Sequence, residues 1–230
     1  MASNILFITG TGTGVGKTVL TALLLCHLRR QGRRALAMKP FCSGPRGDAA
    51  TLWHFQKGSL TLEEVNPFYS PLPLAPWAAA RQSQTPAIAL ATARQRILAL
   101  SQRCDILLVE GIGGVAVPLA RDYTVGHLIS TLGAVTLVAA RNQIGTINHT
   151  LLTIKYLHSL SAPALSLVLM GCRRRDPSAS TNPALLRQLL PSLAVFSLPY
   201  MGKRANLPSA VEKNEKKYKK QLQRILEVLF

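Results

Sequence analysis

Residues 4–9, NILFIT, run into Gly10-Thr11-Gly12-Thr13-Gly14-Val15-Gly16-Lys17-Thr18. Val19, Leu20, Leu23, Leu24 and Leu28 then recur at helical spacing over 19–30, and Gly32 follows as a stop signal. A short apolar strand, a glycine-rich turn and Gly-Lys-Thr opening a helix leave few folds open. The glycines let backbone N–H groups turn inward around an anion without Cβ clashes. The helix N-terminus adds partial positive charge. Lys17 supplies a point charge for β- and γ-phosphates, and Thr18 a hydroxyl for Mg²⁺. The first glycine stands one residue before the place that strict phosphate-loop spacing requires, and Thr11 fills that place. The strand, loop and helix context carries the reading. It makes Gly14, Val15, Gly16, Lys17, Thr18 and Val19 the predicted triphosphate cradle.

Further apolar runs fall at 35–39, 106–109, 134–140, 164–170 and 193–198, with helical patterns at 86–102, 147–160, 183–190 and 208–229. The strands are runs rather than alternations, as expected where both faces of a sheet are covered. The predicted fold is α/β: a mainly parallel sheet in a three-layer α/β/α arrangement of the P-loop nucleotide-hydrolase type. One domain over 1–230 is expected, since 230 residues can bury about 70% of their unfolded surface. A 48% hydrophobic content excludes intrinsic disorder, and no apolar run nears the roughly 20 residues of a membrane span. Residues 67–76, PFYSPLPLAP, hold four prolines and can be neither a helix interior nor a central strand. They are expected to connect over the surface or to border a site.

In such sheets ligands bind beyond the carboxyl ends of the strands. Lys39 closes the second run, with Ser43 and Gly44 just beyond and Asp48 in Gly47-Asp48-Ala49. The third run delivers Glu110 into Gly111-Ile112-Gly113-Gly114, where the glycines allow close backbone approach. An acidic residue after a buried strand is how Mg²⁺ is held beside a phosphate loop. Thr18, Asp48 and Glu110 make a hard-oxygen set for it, completed by water and phosphate oxygens.

Lys and Arg number 27 against 10 Asp and Glu, a net charge of +17. Such a field favours anionic ligands. Only a small part of it sits in the tail, where Lys213, Lys216, Lys217, Lys219 and Lys220 alternate with glutamates ahead of apolar residues at helical spacing. That pattern suits a packed helix with a solvated face. Cys26, Cys42, Cys104 and Cys172 lie far apart without metal-type spacing and are expected to be reduced packing thiols. The opening Met1-Ala2-Ser3-Asn4 has no basic segment leading to an apolar signal core, so a cytoplasmic location is expected.

Taken together, GTGTGVGKT (10–18), KPFCSG (39–44), GDA (47–49), Asn66-Pro67-Phe68 with PLAPWAAA (73–80), DILLVEGIGG (105–114) leading to Val117-Pro118-Leu119, and Gly145-Thr146-Ile147-Asn148-His149 resemble the dethiobiotin synthetases. The resemblance covers most of the chain. It implies a ligase that uses CO₂, Mg²⁺ and ATP or another nucleoside triphosphate to close the ureido ring of dethiobiotin from 7,8-diaminopelargonate. It implies Lys17 and Lys39 as catalytic cations, and Thr13 and Ser43 at the amine and carbamate end. It also implies a homodimer with a shared active site, in which Thr146, Ile147 and Asn148 of the neighbouring subunit meet the substrate carboxylate at a helix N-terminus. Gly111 and Gly113 would belong to the nucleotide site, and Pro199 and Tyr200 would border the base. Small-molecule substrates are implied, with no nucleic-acid and no membrane partner.

Three positions depart from the family pattern. Gly12 stands where the family usually has Asp. Cys172, beside Arg173, Arg174 and Arg175, stands where Asn reads the adenine edge. Phe196 replaces a common Gly. Two other readings stay open at this level: a partition-type ATPase that binds DNA or membrane, and a folded but inactive family member.

Overall fold

The computed structural model describes residues 4–162, 165–174 and 176–230. The opening residues 1–3, the predicted strand start at Ala164, and Arg175 lie outside the described residues. In chain order, β1 (Ile5–Gly10) leads to α1 (Lys17–Arg30), β2 (Ala35–Met38), the short β3 (Phe41–Ser43) and α2 (Gly47–His54). Next come α3 (Leu62–Val65), β4 (Phe68–Ser70), α4 (Pro76–Gln82), α5 (Leu90–Ser101) and β5 (Ile106–Glu110). They are followed by α6 (Val125–Leu132), β6 (Val135–Arg141), α7 (Thr146–Ser159) and β7 (Leu165–Met170). A 3-10 turn (Pro177–Ser180), α8 (Asn182–Leu189), β8 (Ala194–Leu198), α9 (Pro208–Lys217) and α10 (Lys219–Leu229) complete the chain.

The main sheet has the order β2-β5-β1-β6-β7-β8, and every pairing is parallel. Every residue of β1, β2 and β5 is buried, which is why they read as continuous apolar runs. From β1 the chain moves one way to β2; from β5 onward it moves the other way. Right-handed crossovers therefore put α1 on one face and α5 to α8 on the other. On the first face α1 packs against β1, β2 and β5 and against α2, α9 and α10. The direction changes beside β1, so the loop after β1 opens at the switch point. Lys39, Glu110, Arg141, Gly171 and Pro199 follow or end their strands on that same edge.

The six predicted strands agree with those observed to within a residue at each end. The differences concern local structure. The helix predicted over 86–102 starts only at Leu90. Asp48, given no element by the sequence, lies in the first turn of α2. The proline-rich stretch contributes β4, which among the described residues pairs only with β3 in a two-stranded sheet, and Pro76 opens α4.

The closing helix predicted over 208–229 is broken at Tyr218 (φ −109°, ψ 19°) into α9 and α10. The apolar stripe runs through the break in helical phase, so the pattern gives no stop signal. What separates the two pieces is their anchoring. On α9, Val211 and the buried Glu215 face α1, where Glu215 accepts from His27 Nδ1 at 2.8 Å and Arg30 NH1 at 2.5 Å. On α10, Leu222, Ile225, Leu226 and Leu229 turn inward, and the helix reaches β8 as well as α1. Glu215 is thus not part of a solvated face, although the neighbouring lysines are exposed.

Candidate active site

The loop after β1 turns through two residues in the left-handed region, Gly14 (φ 71°) and Gly16 (φ 103°). Gly16 is the N-cap of α1, and a Cβ there would press on Met170 at 3.2 Å. Glycine is required on both conformational and steric grounds. Lys17 is buried; its Nζ donates to Gly12 O at 2.8 Å and Gly113 O at 2.7 Å, so it ties the phosphate loop to the loop after β5. Thr18 Oγ1 donates to Glu110 Oε1 at 2.8 Å.

Lys39 is only 3% exposed. Its Nζ lies 2.5 Å from Glu110 Oε1 and 3.2 Å from Asp48 Oδ2. Burial pulls its pKa down, but the two carboxylates outweigh burial and hold it at about 12. Lys39 is therefore held in its charged form. Burial dominates at Lys17: Glu110 offsets it only in part, Lys39 adds repulsion, and the pKa falls to about 8. Asn66 fixes the backbone beneath Lys39, donating through Nδ2 to Lys39 O at 2.9 Å and Pro40 O at 3.3 Å.

Glu110 Oε2 is buried and has no hydrogen-bond partner among the described residues. A buried carboxylate oxygen left unpaired is costly, and a cation would satisfy it. Thr18, Glu110 and Asp48 supply hard oxygens around that point, so the residues present fit Mg²⁺. Among the described residues no group of three or more His, Cys, Asp or Glu could hold a metal.

Two clefts flank the phosphate loop and share Gly14, Gly16, Val19 and Lys203 as a wall. The smaller, about 750 Å³, brings together Thr13, Lys17, Thr18, Lys39, Ser43, Asp48, Glu110 and Gly113, with Pro73, Leu74 and Ala75 of the proline-rich stretch along its border. The larger, about 1120 Å³, takes Val15, Pro199 and Tyr200 together with Arg141, Cys172, Arg173 and Arg174. Its size suits a nucleoside, while the paired charges sit in the smaller cleft. Gly111 reaches neither: it is buried, and a Cβ there would meet Phe7 at 3.0 Å and Val125 at 3.4 Å. Thr146, Ile147 and Asn148 open α7 and line neither cleft of their own chain. Cys172 Sγ donates to Gln143 Oε1 at 3.3 Å, and all four cysteines are free thiols.

Two residues of the larger cleft carry no motif. At Gly171 a Cβ would stand 2.4 Å from Tyr200 N, so only glycine lets the ends of β7 and β8 close on one another. Arg141 ends β6 and donates through Nε to Gly14 O at 2.9 Å. Its only sequence signal is a cation at the carboxyl end of an apolar run.

A family model described as an AAA domain matches residues 4–207. The ATP-dependent dethiobiotin synthetase BioD of Bacillus subtilis (strain 168) is 35% identical over 190 residues, which cover 80% of this chain and 81% of the relative. The chain belongs to the dethiobiotin synthetase family. Dethiobiotin synthetases of Anaeromyxobacter sp. (strain Fw109-5) and Methanocaldococcus jannaschii are 40% and 37% identical over 78% and 67% of this chain, and 82% and 73% of their own lengths. The dethiobiotin synthetases are ATP-dependent ligases of biotin biosynthesis, and a P-loop beside two lysines suits that class. Among solved structures, the MinC:MinD cell division protein complex of Aquifex aeolicus aligns with a TM-score of 0.63 at 12% identity, covering 98% of this chain and 96% of that one. A pNOB8 ParA bound to nonspecific DNA aligns with a TM-score of 0.55 at 11% identity, covering 95% and 92%. At such identities the likeness is one of fold. Among the described residues no helix is long and apolar enough to cross a membrane.

Proposed function

We propose that this chain carboxylates 7,8-diaminopelargonate with CO₂ at the expense of ATP and closes the product to dethiobiotin. The observation that carries the reading is Lys39: a buried ammonium braced by two carboxylates, one of them bonded to the phosphate-loop threonine, beside a cleft that Thr13 and Ser43 also line.

In the proposed reaction one substrate amine adds to CO₂ and loses a proton, giving a carbamate. A carbamate oxygen takes the γ-phosphoryl group, and ADP leaves. The second amine attacks the resulting carbamic–phosphoric anhydride and expels phosphate, which closes the cyclic urea. The difficulty is the meeting of two anions, so the site must hold cations where they meet. Lys39 offsets the repulsion at the carbamate and γ-phosphate. Lys17 exchanges its two carbonyl partners for phosphate oxygens. Thr13 and Ser43 orient the amine and carbamate end, and the Gly14–Gly16 backbone holds the β-phosphate. Mg²⁺, held by Thr18, Asp48 and Glu110, would neutralise phosphate oxygens.

An assay with diaminopelargonate, bicarbonate and each of ATP, CTP and GTP tests substrate, reaction class and base choice together. Dethiobiotin, ADP and phosphate in equal amounts are expected with ATP; nucleotide hydrolysis without dethiobiotin would overturn the reading.

We further infer a homodimer in which Thr146, Ile147 and Asn148 of one subunit meet the substrate carboxylate in the other. The Thr146 N–H already donates to Gln143 O at 3.1 Å, and the N–H groups of Ile147 and Asn148 at the start of α7 suit an anion. Exposed apolar side chains at and before α7 support the inference: Ile144, two residues ahead of the helix, is 77% exposed and Leu152 on it 59%, more than a monomer's isolated apolar residues require. Leu152→Arg is expected to yield monomers by light scattering, with KM for diaminopelargonate raised about tenfold or more by loss of a charged hydrogen-bond partner. Unchanged dimers with an unchanged KM would place the contact elsewhere.

A further inference from the structure

Arg141 stands at the carboxyl end of β6 with an exposed side chain. Its Nε reaches Gly14 O, so the guanidinium lies against the outer lip of the phosphate loop. A Cβ at position 14 would stand 3.2 Å from Arg141 NH2, and the glycine there leaves it room. Among the described residues no protein acceptor takes the hydrogens of NH1 or NH2, and no carboxylate pairs with the charge. Asp176 borders the same cleft, but its oxygens accept from Ile144 N, Ser178 N and Ser178 Oγ. A planar, unneutralised donor pinned by one N–H beside a phosphate loop suits a phosphate oxygen. The γ end of the chain of phosphates belongs to Lys17 and Lys39 in the smaller cleft, whereas Arg141 faces the larger cleft across the loop.

We propose that Arg141 grips the α-phosphate of the bound nucleoside triphosphate, and that Gly14 serves both as part of the phosphate loop and as the seat of this arginine. The proposal rests on the ATP reading above. The test is binding of fluorescent mant-ATP, with ATP, ADP and the Rp and Sp diastereomers of ATPαS as competitors. Wild type is expected to bind mant-ATP and to prefer one diastereomer. Arg141→Ala should weaken ATP and ADP alike by roughly ten- to a hundredfold, the loss of a charge-assisted hydrogen bond, and should abolish the diastereomer preference. Arg141→Lys should regain part of the affinity.

A variant that weakens both diastereomers equally and keeps the preference would mean that Arg141 only braces the loop. A loss confined to ATP would put the guanidinium at the γ-phosphate. A wild type indifferent to the diastereomers would also overturn the proposal. Failure of wild type to bind mant-ATP at all would instead overturn the nucleotide reading. Melting curves of both variants establish that each is folded when measured.

Discussion

Lys39→Ala is expected to lower dethiobiotin formation by about a thousandfold, the scale of losing one buried group that stabilises developing charge, while mant-ATP still binds. The phosphate-loop glycines, Lys17 and Arg141 are untouched by the change, so the nucleotide keeps its cradle. Stability will suffer too. Glu110 is 1% exposed, and Lys39 is its ion-pair partner at 2.5 Å. Removing one member of a buried pair leaves the other charged and unpaired, at about 3–5 kcal/mol. For a chain of this size that is a fall in Tm of roughly 10 °C. Asp48 is half exposed and adds little. The two effects separate in the double variant Lys39→Met/Glu110→Gln, which removes both charges. It should recover most of the lost Tm and remain inactive. Turnover near the wild-type rate in folded Lys39→Ala would remove this lysine from the chemistry.

Glu110→Gln is expected to raise the Mg²⁺ concentration for half-maximal activity by about ten- to a hundredfold, as for other losses around a metal site. Asp48→Asn should do the same to a smaller extent, because that carboxylate is half exposed and can be replaced by water. The measure is activity against free Mg²⁺ at saturating ATP, and an unshifted titration in both variants would count against the proposed ligands. The pH dependence of stability offers a companion check. The folded pKa of Lys39, about 12, lies above its ordinary 10.5. Its contribution is therefore fully present below 10.5 and lost as pH rises through 12. In Glu110→Gln the largest attraction on Lys39 is gone and the buried ammonium loses its main partner, so Tm should fall relative to wild type at neutral pH.

The parallel sheet was legible because its strands are buried on both faces and carry apolar runs, and the phosphate loop because only glycines can make its turns. Lys39 and Glu110 were legible by position, each at the end of such a run. The rest depends on distant partners. β3 and β4 span three residues each and pair only with one another, in a segment where prolines mask any strand pattern. The amphipathic α6 follows a capping Thr124 but is only eight residues long. Glu215 looks like one more surface charge until His27 and Arg30 are placed beside it. Arg141 gains meaning only when the loop 127 residues earlier is folded against it. Gly171 is dictated by the backbone at Pro199 and Tyr200, which no local window contains.

The knot between Glu215, His27 and Arg30 fastens the tail to the very rod whose first turn presents Lys17 and Thr18. Lesions in the last tenth of the fold can therefore travel along that rod to the catalytic end. In a screen of defective variants, substitutions at Val211 or Glu215 would be mistaken for damage to ATP binding, although neither residue lines either cleft.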